Sequence, residues 1–496
     1  MRPEAMHEVV IGLEVHAQLA TRTKMFCRCG HRFGAPPNTL VCPVCLGYPG
    51  ALPRLNRRAV DLGLRVALAL GSKVEECSRF DRKGYFYADL PKGYQVTQAE
   101  RPLATGGSLP LTRSAKRLTI DRLHLEEDAG KLTHETSRGE GSRDRASRVD
   151  FNRSGVPLLE IVSRPELSSA EEAADALRSL HQLLLFVEAS EGTLERGSLR
   201  CDLNVSVRES GSRQLGPRVE VKNLNSFRQV SRAAEVEIER QVHEMRSGGE
   251  VREETRSFDA HSGRTRPLRP KEGRPGYRYF AEPDLPPLRL KRERVDALAR
   301  SLPEPPWERR ARWVDELGLD AEGARILTAH PSRAHYFEQS IDLSRGRLAP
   351  RLVARWIQTE VLRHCKRRKL TFEQALEPRR LVGILSLLAA GQISATATKT
   401  LVEAAWDDPT PPETLARDLG LLLDDDRDQL RRWIVAVLEE HPEQVGEYRG
   451  GKTQVLGFLM GRLMRASGGS ANPRSARGAL LDALEEPTLE PGDPTR

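Results

Sequence analysis

The sequence predicts an α+β fold, with a mixed α/β N-terminal part followed by helices. Three observations predict it. Short β-prone segments alternate with Gly and Pro up to about Val295, the hydrophobic period then lengthens to helical spacing, and two Pro-rich stretches punctuate the change. A chain of 496 residues is too long for one ordinary core. The breaks are therefore read as domain boundaries, giving 1–295, 296–407 and a small helical tail, 408–496.

The first part opens with EVVIGLEVHAQL, a strand by composition. AVDLGLRVALALGS follows with helical spacing, and RLTIDRLHLEED, LLEIVS, RCDLNVSVR and RVEVKNL are further strands. Alternation is clearest in CDLNVSVR, where Leu203, Val205 and Val207 share one face and Asp202, Asn204 and Ser206 the other. SAEEAADALRSLHQLLLFVEAS is helical, and Phe227–Arg246 is an amphipathic helix turning Val230, Ala233, Ala234, Ile238 and Val242 inward. PDLPPL closes this part. Beyond it PPWERRARWVDELGL, EGARILTAH, RLVARWIQTEVLRHC and LVGILSLLAA build a helical middle. DPTPPE makes the second break, and RDQLRRWIVAVLEEHPEQV with TQVLGFLMGRLMRAS forms a last helical pair. The closing EEPTLEPGDPTR is polar, Pro-rich and expected to be disordered.

Lys and Arg exceed Asp and Glu by 78 to 70, a net +8 that permits a polyanionic partner without requiring one. Apolar runs such as Leu183–Val187 are far too short to span a bilayer, and the start has no long apolar signal region. A cytoplasmic protein is expected. Seven cysteines, an odd number, argue against a closed disulfide framework.

Four of those cysteines cluster as Cys27-Arg-Cys29 and Cys42-Pro-Val-Cys45. Four thiolates complete a tetrahedral zinc shell, and the glycines and prolines between them permit tight turns. The competing reading is four reduced cysteines with no metal. His31 lies between the pairs as a rival ligand, and Cys77, Cys201 and Cys365 are read as ordinary buried cysteines.

Acidic and amide groups recur on the strands. Glu14 and His16 share one face of GLEVH; Glu126, Glu127 and Asp128 follow TIDRLHL; Asp202 and Asn204 share a face, as do Glu220 and Lys222. Carboxylates are seldom buried unless paired or metal-bound. Strands converging on one cavity would make a Mg²⁺ and phosphate site, with Arg200, Lys222 and Arg278 holding phosphate oxygens. His16 either ligates the metal or orients a carboxylate. The plainer alternative is a scatter of separate surface charges. FDRKGYFYADLPKGYQVTQ contributes Lys83, Tyr85 and Lys92, VDFNRSGVPLLEIVSRPE contributes Arg153, and GYRYF contributes Tyr277 and Arg278. Aromatics interleaved with bases suit a nucleotide or a terminal adenosine, whereas a packed core with snorkelling arginines is the bland reading.

Gly446-Glu-Tyr-Arg-Gly-Gly451-Lys452-Thr453 matches the G-x-x-x-x-G-K-[ST] pattern, but the segment before it looks helical where a phosphate loop needs a buried strand. We discount it. No Ser–His–Asp or Cys–His unit is evident, so an autonomous glutaminase is not indicated.

VIGLEVHAQL, PNTLVCPVCLGYPGALPRLN, FDRKGYFYADLPKGYQVTQ, LHLEEDAGK, VDFNRSGVPLLEIVSRPE, GSLRCDLNVSVR, VEVKNLNSFR, YRYFAEPDLPPL and GKTQVLGFLMGRLM run in order over nearly the whole chain. Together they resemble the B-subunit family of aspartyl/glutamyl-tRNA(Asn/Gln) amidotransferases. The resemblance implies an N-terminal cradle domain, a helical domain and a small tail domain that contacts the tRNA body. It implies ATP- and Mg²⁺-dependent phosphorylation of the Glu or Asp side chain esterified to tRNA. Ammonia from an amidase-type A subunit would then displace phosphate, with a small C subunit bracing the pair. Carried over by motif, Glu14, His16, Glu127 and Glu220 are the expected Mg²⁺ set, with Glu126 left open beside Glu127. Asp202, Asn204 and Lys222 are expected to support catalysis, Lys222 by binding phosphate, and Lys83, Tyr85, Lys92, Arg153, Arg200, Tyr277 and Arg278 to contact nucleotide. The cysteine set resembles the structural zinc knuckle of some family members. This sequence departs from the family pattern at Glu166, where Asp is usual, at LRPKE, and at KEGRPGYRYF. A non-catalytic tRNA-binding scaffold is the alternative function.

Overall fold

The computed structural model describes residues 7–134, 147–270, 277–423, 427–468 and 471–485. Two compact units form, 1–309 and 310–496.

The first unit is built on a 10-stranded sheet. Its successive strands are Arg264–Pro270, Glu254–Asp259, Val219–Leu224, Leu199–Glu209, His7–Gln18, Pro157–Ser163, Arg117–Glu127, Ala104–Thr105 and Lys73–Val74, with Ser108–Pro110 also against the Arg117 strand. Every pairing is antiparallel except that between the Val219 and Glu254 strands. Such a sheet needs only one covered face, so its strands alternate. Ile11, Leu13, Val15 and Ala17 on the central strand point to one side with Leu123, Leu125, Leu159, Ile161, Leu203 and Val205, all essentially inaccessible.

Helices Arg57–Ala69, Ala170–Phe186 and Phe227–Arg246 supply the apolar partners of that face. Each begins at a side-chain cap. Asn56 accepts from the backbone of Arg58 at 2.9 Å, Ser169 from Glu172 at 3.1 Å and Ser226 from Gln229 at 3.1 Å. The expected helix Phe227–Arg246 is present with those limits, and Val230, Ala233 and Ala234 are buried. The helix Arg292–Arg300 also belongs to this unit, tied down by Arg294 to Asp61 at 2.9 Å. A three-stranded sheet of Arg278–Ala281, Asp81–Gly84 and Tyr94–Thr97 carries the aromatic and basic residues of two predicted motifs.

The second unit is helical. Trp313 is fully buried, edge-on to Phe337 at 4.8 Å. The expected last helical pair is instead four helices, 427–440, 442–449, 455–466 and 473–485, around Leu430, Ile434, Leu459, Leu463 and Leu480. Pro442 begins the second of them, because it cannot continue the preceding helix. Gly446 lies inside that helix, so the nucleotide-loop pattern has no strand before it. No helix among the described residues is long and apolar enough to cross a membrane. The departure at residues 271–276 and the polar terminus after 485 lie outside the described residues.

Helix Arg57–Ala69 approaches the sheet closely at Gly63, where an added Cβ would lie 2.8 Å from Leu103 and 3.1 Å from Leu125. Gly63→Val is expected to destabilise the chain by about 1–3 kcal/mol through overpacking. Equilibrium denaturant unfolding checks this, and an unchanged midpoint would contradict the close approach.

Candidate functional site

The face of the sheet opposite the helices is polar. Register sets its contents: Glu14 stands opposite Asp202 and Val162, and His16 opposite Arg200 and Glu160. Glu160 in turn faces His124, and Leu158 faces Glu126. Alternation therefore turns Glu14, His16, Glu160, His124, Glu126, Asp202 and Arg200 to the same side. Three carboxylates surround the His16 imidazole, with Nε2 at 3.4 Å from Glu160, 3.5 Å from Glu126 and 3.9 Å from Glu14. His124 Nε2 shares a 2.7 Å hydrogen bond with Glu160.

A cleft of about 330 Å³ opens beside this group, lined among others by His16, Glu126, Asp128, Asp202, Arg200 and Lys222. Lys83 and Tyr85 complete its wall. Lys222 Nζ lies 2.6 Å from Asp202, and Arg200 binds the buried carboxylate of Asp128, which also accepts from Gln18 at 2.9 Å. Lys83 lies 4.7 Å from the centre of the Tyr277 ring, which meets Tyr85 edge-on at 5.8 Å.

Burial and neighbouring charge together set the titration of the group. Burial alone would lower the pKa of His16, but the hydrogen bond with Glu160 and the charges of Glu126 and Glu14 outweigh it and raise it to about 9. Burial, then the Glu160 charge, raises Glu126 and Glu14. Burial would raise Glu160 too, but His124 and His16 hold it well below the usual carboxylate range. Arg200 is raised by the Asp128 charge. Lys222 is raised against the effect of burial by Asp202 and Glu220.

The predicted site is thus partly assembled and partly corrected. Glu14 and His16 stand together as expected. Glu126, not Glu127, is their neighbour: Glu127 falls on the opposite parity, with Leu123 and Leu125, and binds Lys92 and the Val96 amide, the latter at 3.0 Å. Lys92 goes with it, into a separate cavity of about 220 Å³ bordered by Lys24, Cys27 and Cys45. Glu220 stands two strands from Glu14 and is occupied by Lys222 at 2.8 Å and the Thr255 hydroxyl at 2.9 Å. Asn204 shares the polar face but sits farther along, opposite Gly12 and Glu220. Arg153 holds the carbonyls of Ala129 and Gly130 at 3.0 and 2.6 Å, bracing a turn. Arg278 is exposed, opposite Gly84, and outside the cleft lining. Glu166 accepts from the Thr119 amide at 3.0 Å, likewise away from that lining.

Glu160 and His124 were not singled out from the sequence. The signal was a carboxylate midway through the apolar strand LLEIVS and a histidine two residues before Glu126, hence on its face.

Among the described residues, ligand atoms of Glu14, His16 and Glu160 gather within 4.8 Å of one another, as do those of His124, Glu126 and Glu160. Three closely spaced carboxylates, two of them raised, leave a negative excess that suits a divalent cation, with oxygens for Mg²⁺ and an imidazole that also suits Mn²⁺.

The second cluster is the cysteine knuckle. Its four sulfurs lie within 4.8 Å of one another, as free thiols. Cys42 and Cys45 sulfurs are 3.9 Å apart, close to the roughly 3.8 Å that tetrahedral zinc–sulfur geometry requires. The Cys42 amide donates to Cys45 Sγ at 3.2 Å. A hydrogen bond with Cys27 holds the Cys45 thiol below the ordinary thiol range despite its burial. The donor set fits structural zinc. His31 instead meets Thr21 at 3.3 Å and is outside the cluster. Of the other three cysteines, Cys201 and Cys365 are buried, but Cys77 is only half-buried.

Residues 9–296 match the family described as the GatB/GatE catalytic domain, and residues 335–484 match that described as the GatB domain. The chain belongs to the GatB/GatE family. It is 44% identical to the B subunit of the aspartyl/glutamyl-tRNA(Asn/Gln) amidotransferase of Geotalea daltonii, across 97% of this chain and 99% of that one. The same-named proteins of Synechocystis and Persephonella marina are 42% and 41% identical, covering 94% and 96% of this chain and 96% and 99% of theirs. The polar sheet face and the cleft therefore lie within the segment matching the GatB/GatE catalytic domain.

Two outcomes follow from the geometry. In Mn²⁺ titrations, Glu160→Gln is expected to weaken binding at least roughly tenfold, while Glu127→Gln and Glu220→Gln stay within about threefold. Equal losses in all three would break the assignment. The second concerns pH. The folded pKa of His16, about 9, exceeds its ordinary 6.5, so its stabilisation is complete below 6.5 and lost as pH rises through 9. The raised Glu14 and Glu126 act in the same direction from 4.5 upward, while the lowered Glu160 stabilises above 4.5 and loses this only in acid. The metal-free chain should melt lower at pH 9 than at pH 6.5, with Mg²⁺ reducing the difference; a flat metal-free profile would contradict it.

Proposed function

We propose that this chain is the subunit that activates and amidates Glu or Asp already esterified to tRNA. The convergence of Glu14, Glu126 and Glu160 on His16, bordered by three cations in one cleft, carries the reading. Membership of the GatB/GatE family and the names of the relatives support it.

A carboxylate oxygen is a poor leaving group, so the substrate side chain must be activated first. Its oxygen attacks the terminal phosphorus of ATP; the bond to ADP breaks and an acyl phosphate forms. Ammonia from a partner glutaminase subunit then attacks the carbonyl carbon, phosphate departs with the C–O electron pair, and the nitrogen sheds a proton. Bound Mg²⁺, held by Glu14, His16, Glu126 and Glu160, would offset charge on the transferring phosphoryl group. Lys83, Arg200 and Lys222 bind phosphate oxygens. Asp128 and Asp202 fix two of those cations, so little reorganisation is needed as charge moves. Tyr277 and Tyr85 offer ring surface beside Lys83 for a base.

An A subunit supplying ammonia and a small C subunit complete the assembly, and 408–496 is the part we assign to the tRNA body. There Phe458 is 43% exposed and Arg462 lies over its ring at 5.1 Å, a pairing suited to RNA.

The test combines the chain with its A and C partners, Mg²⁺, ATP, glutamine and separately prepared Glu-tRNA(Gln) or Asp-tRNA(Asn). Gln or Asn is expected on the tRNA only when ATP is present. Glu126→Gln should lower the rate by about 100-fold or more, with tRNA binding retained. If neither product forms while tRNA binds and glutamine is hydrolysed, the chain is a scaffold instead.

A further inference from the structure

Lys24 is fully buried, although a buried ammonium normally needs an anion at hand. Its Nζ contacts Cys45 Sγ at 3.5 Å and the Phe151 carbonyl at 3.3 Å, and no carboxylate stands within ion-pair distance among the described residues. The backbone of Lys24 also belongs to the knuckle, its amide donating to the Cys29 carbonyl at 2.9 Å. The turn carrying Phe151 clamps the loop between the two cysteine pairs. Asn152 accepts from the Leu40 amide at 2.8 Å and donates to the Pro36 carbonyl at 2.7 Å, and Ser154 reaches the Cys45 carbonyl at 3.2 Å. Lys24 is thus held between the sulfur cluster and its brace.

Four thiolates around one divalent zinc leave a formal charge of minus two, and the only lysine ammonium touching the sulfurs among the described residues is that of Lys24. We propose that Lys24 is the built-in counter-ion of the metal-loaded cysteine cluster and fixes the knuckle against the catalytic unit, a role that rests on zinc occupancy of these four cysteines. Without the metal, the same ammonium is a buried charge with a weakened partner. The arrangement also reaches the neighbouring cavity. An added Cβ at Gly155, whose φ is +83°, would lie 3.4 Å from Cys45, 3.6 Å from Lys24 and 3.8 Å from Glu127. Anchoring Lys24 on the sulfur side leaves Glu127 to Lys92.

The experiment uses the full-length chain, wild type and Lys24→Met, which keeps length and removes charge. Zinc content, zinc transfer to a chromophoric chelator and melting temperature with and without zinc are measured. The variant should release zinc about tenfold faster or more. Its melting temperature should fall relative to wild type with zinc, yet equal or exceed wild type without it. A space-filling role would shift both melting temperatures alike and leave release unchanged, and that result overturns the proposal. If the variant does not fold, amine acylation of the wild type decides: Lys24 should be protected with zinc and modified once zinc is stripped, and equal modification overturns the proposal. A wild-type chain that binds no zinc would overturn the zinc reading itself.

Discussion

Three carboxylates crowd one imidazole on the polar face of a mostly antiparallel sheet, opposite the helices, and the rest of the catalytic unit is arranged around that charge. Packing such groups together is costly in a half-buried cleft unless cations offset them. The structure supplies His16 within the cluster, a His124 ring hydrogen-bonded to Glu160, and Lys83, Arg200 and Lys222 around it. Asp128 and Asp202 then hold Arg200 and Lys222 in place. The carboxylate charge that raises His16 against burial, and adds to burial in raising Glu14 and Glu126, makes the cluster receptive to a divalent cation.

The opposite side of the same strands shows why adjacent acidic residues need not share a role. Glu126 and Glu127 are one residue apart, yet the first meets His16 and the second meets Lys92 beside the cysteine knuckle. A strand sends successive side chains to opposite faces, so one step in sequence moves a carboxylate between two cavities. The knuckle borders only the second cavity, which fits a bracing role separate from the phosphate chemistry.

Much of the fold was legible. The alternation of CDLNVSVR, the helix Phe227–Arg246 and the closely spaced cysteine pairs each follow from local rules of period and spacing, and each is present. Glu14 and His16 were legible for the same reason, since two residues of one strand share a face. Glu220 stands apart from the Glu14 group because strand parity says which face a residue takes but not which strand adjoins which; it pairs with Lys222, two strands from Glu14. The last helices were undercounted because Pro442 interrupts what reads as one helical stretch and because Pro473–Glu485 lies beyond the segments read as helical.

Local features are written directly in the order of residues: strands with one apolar and one polar side, capped helices, a four-sulfur donor set, and an ordered series of motifs that names a family. It took the folded chain to bring Glu160 and His124 to Glu14, His16 and Glu126, and to enclose Lys24 beside Cys45. The reason is that burial and charge neutralisation are properties of neighbours. Strand order sets His16 beside Glu126 and Glu160, more than a hundred positions away in the chain, and loop closure sets Lys24 beside Cys45.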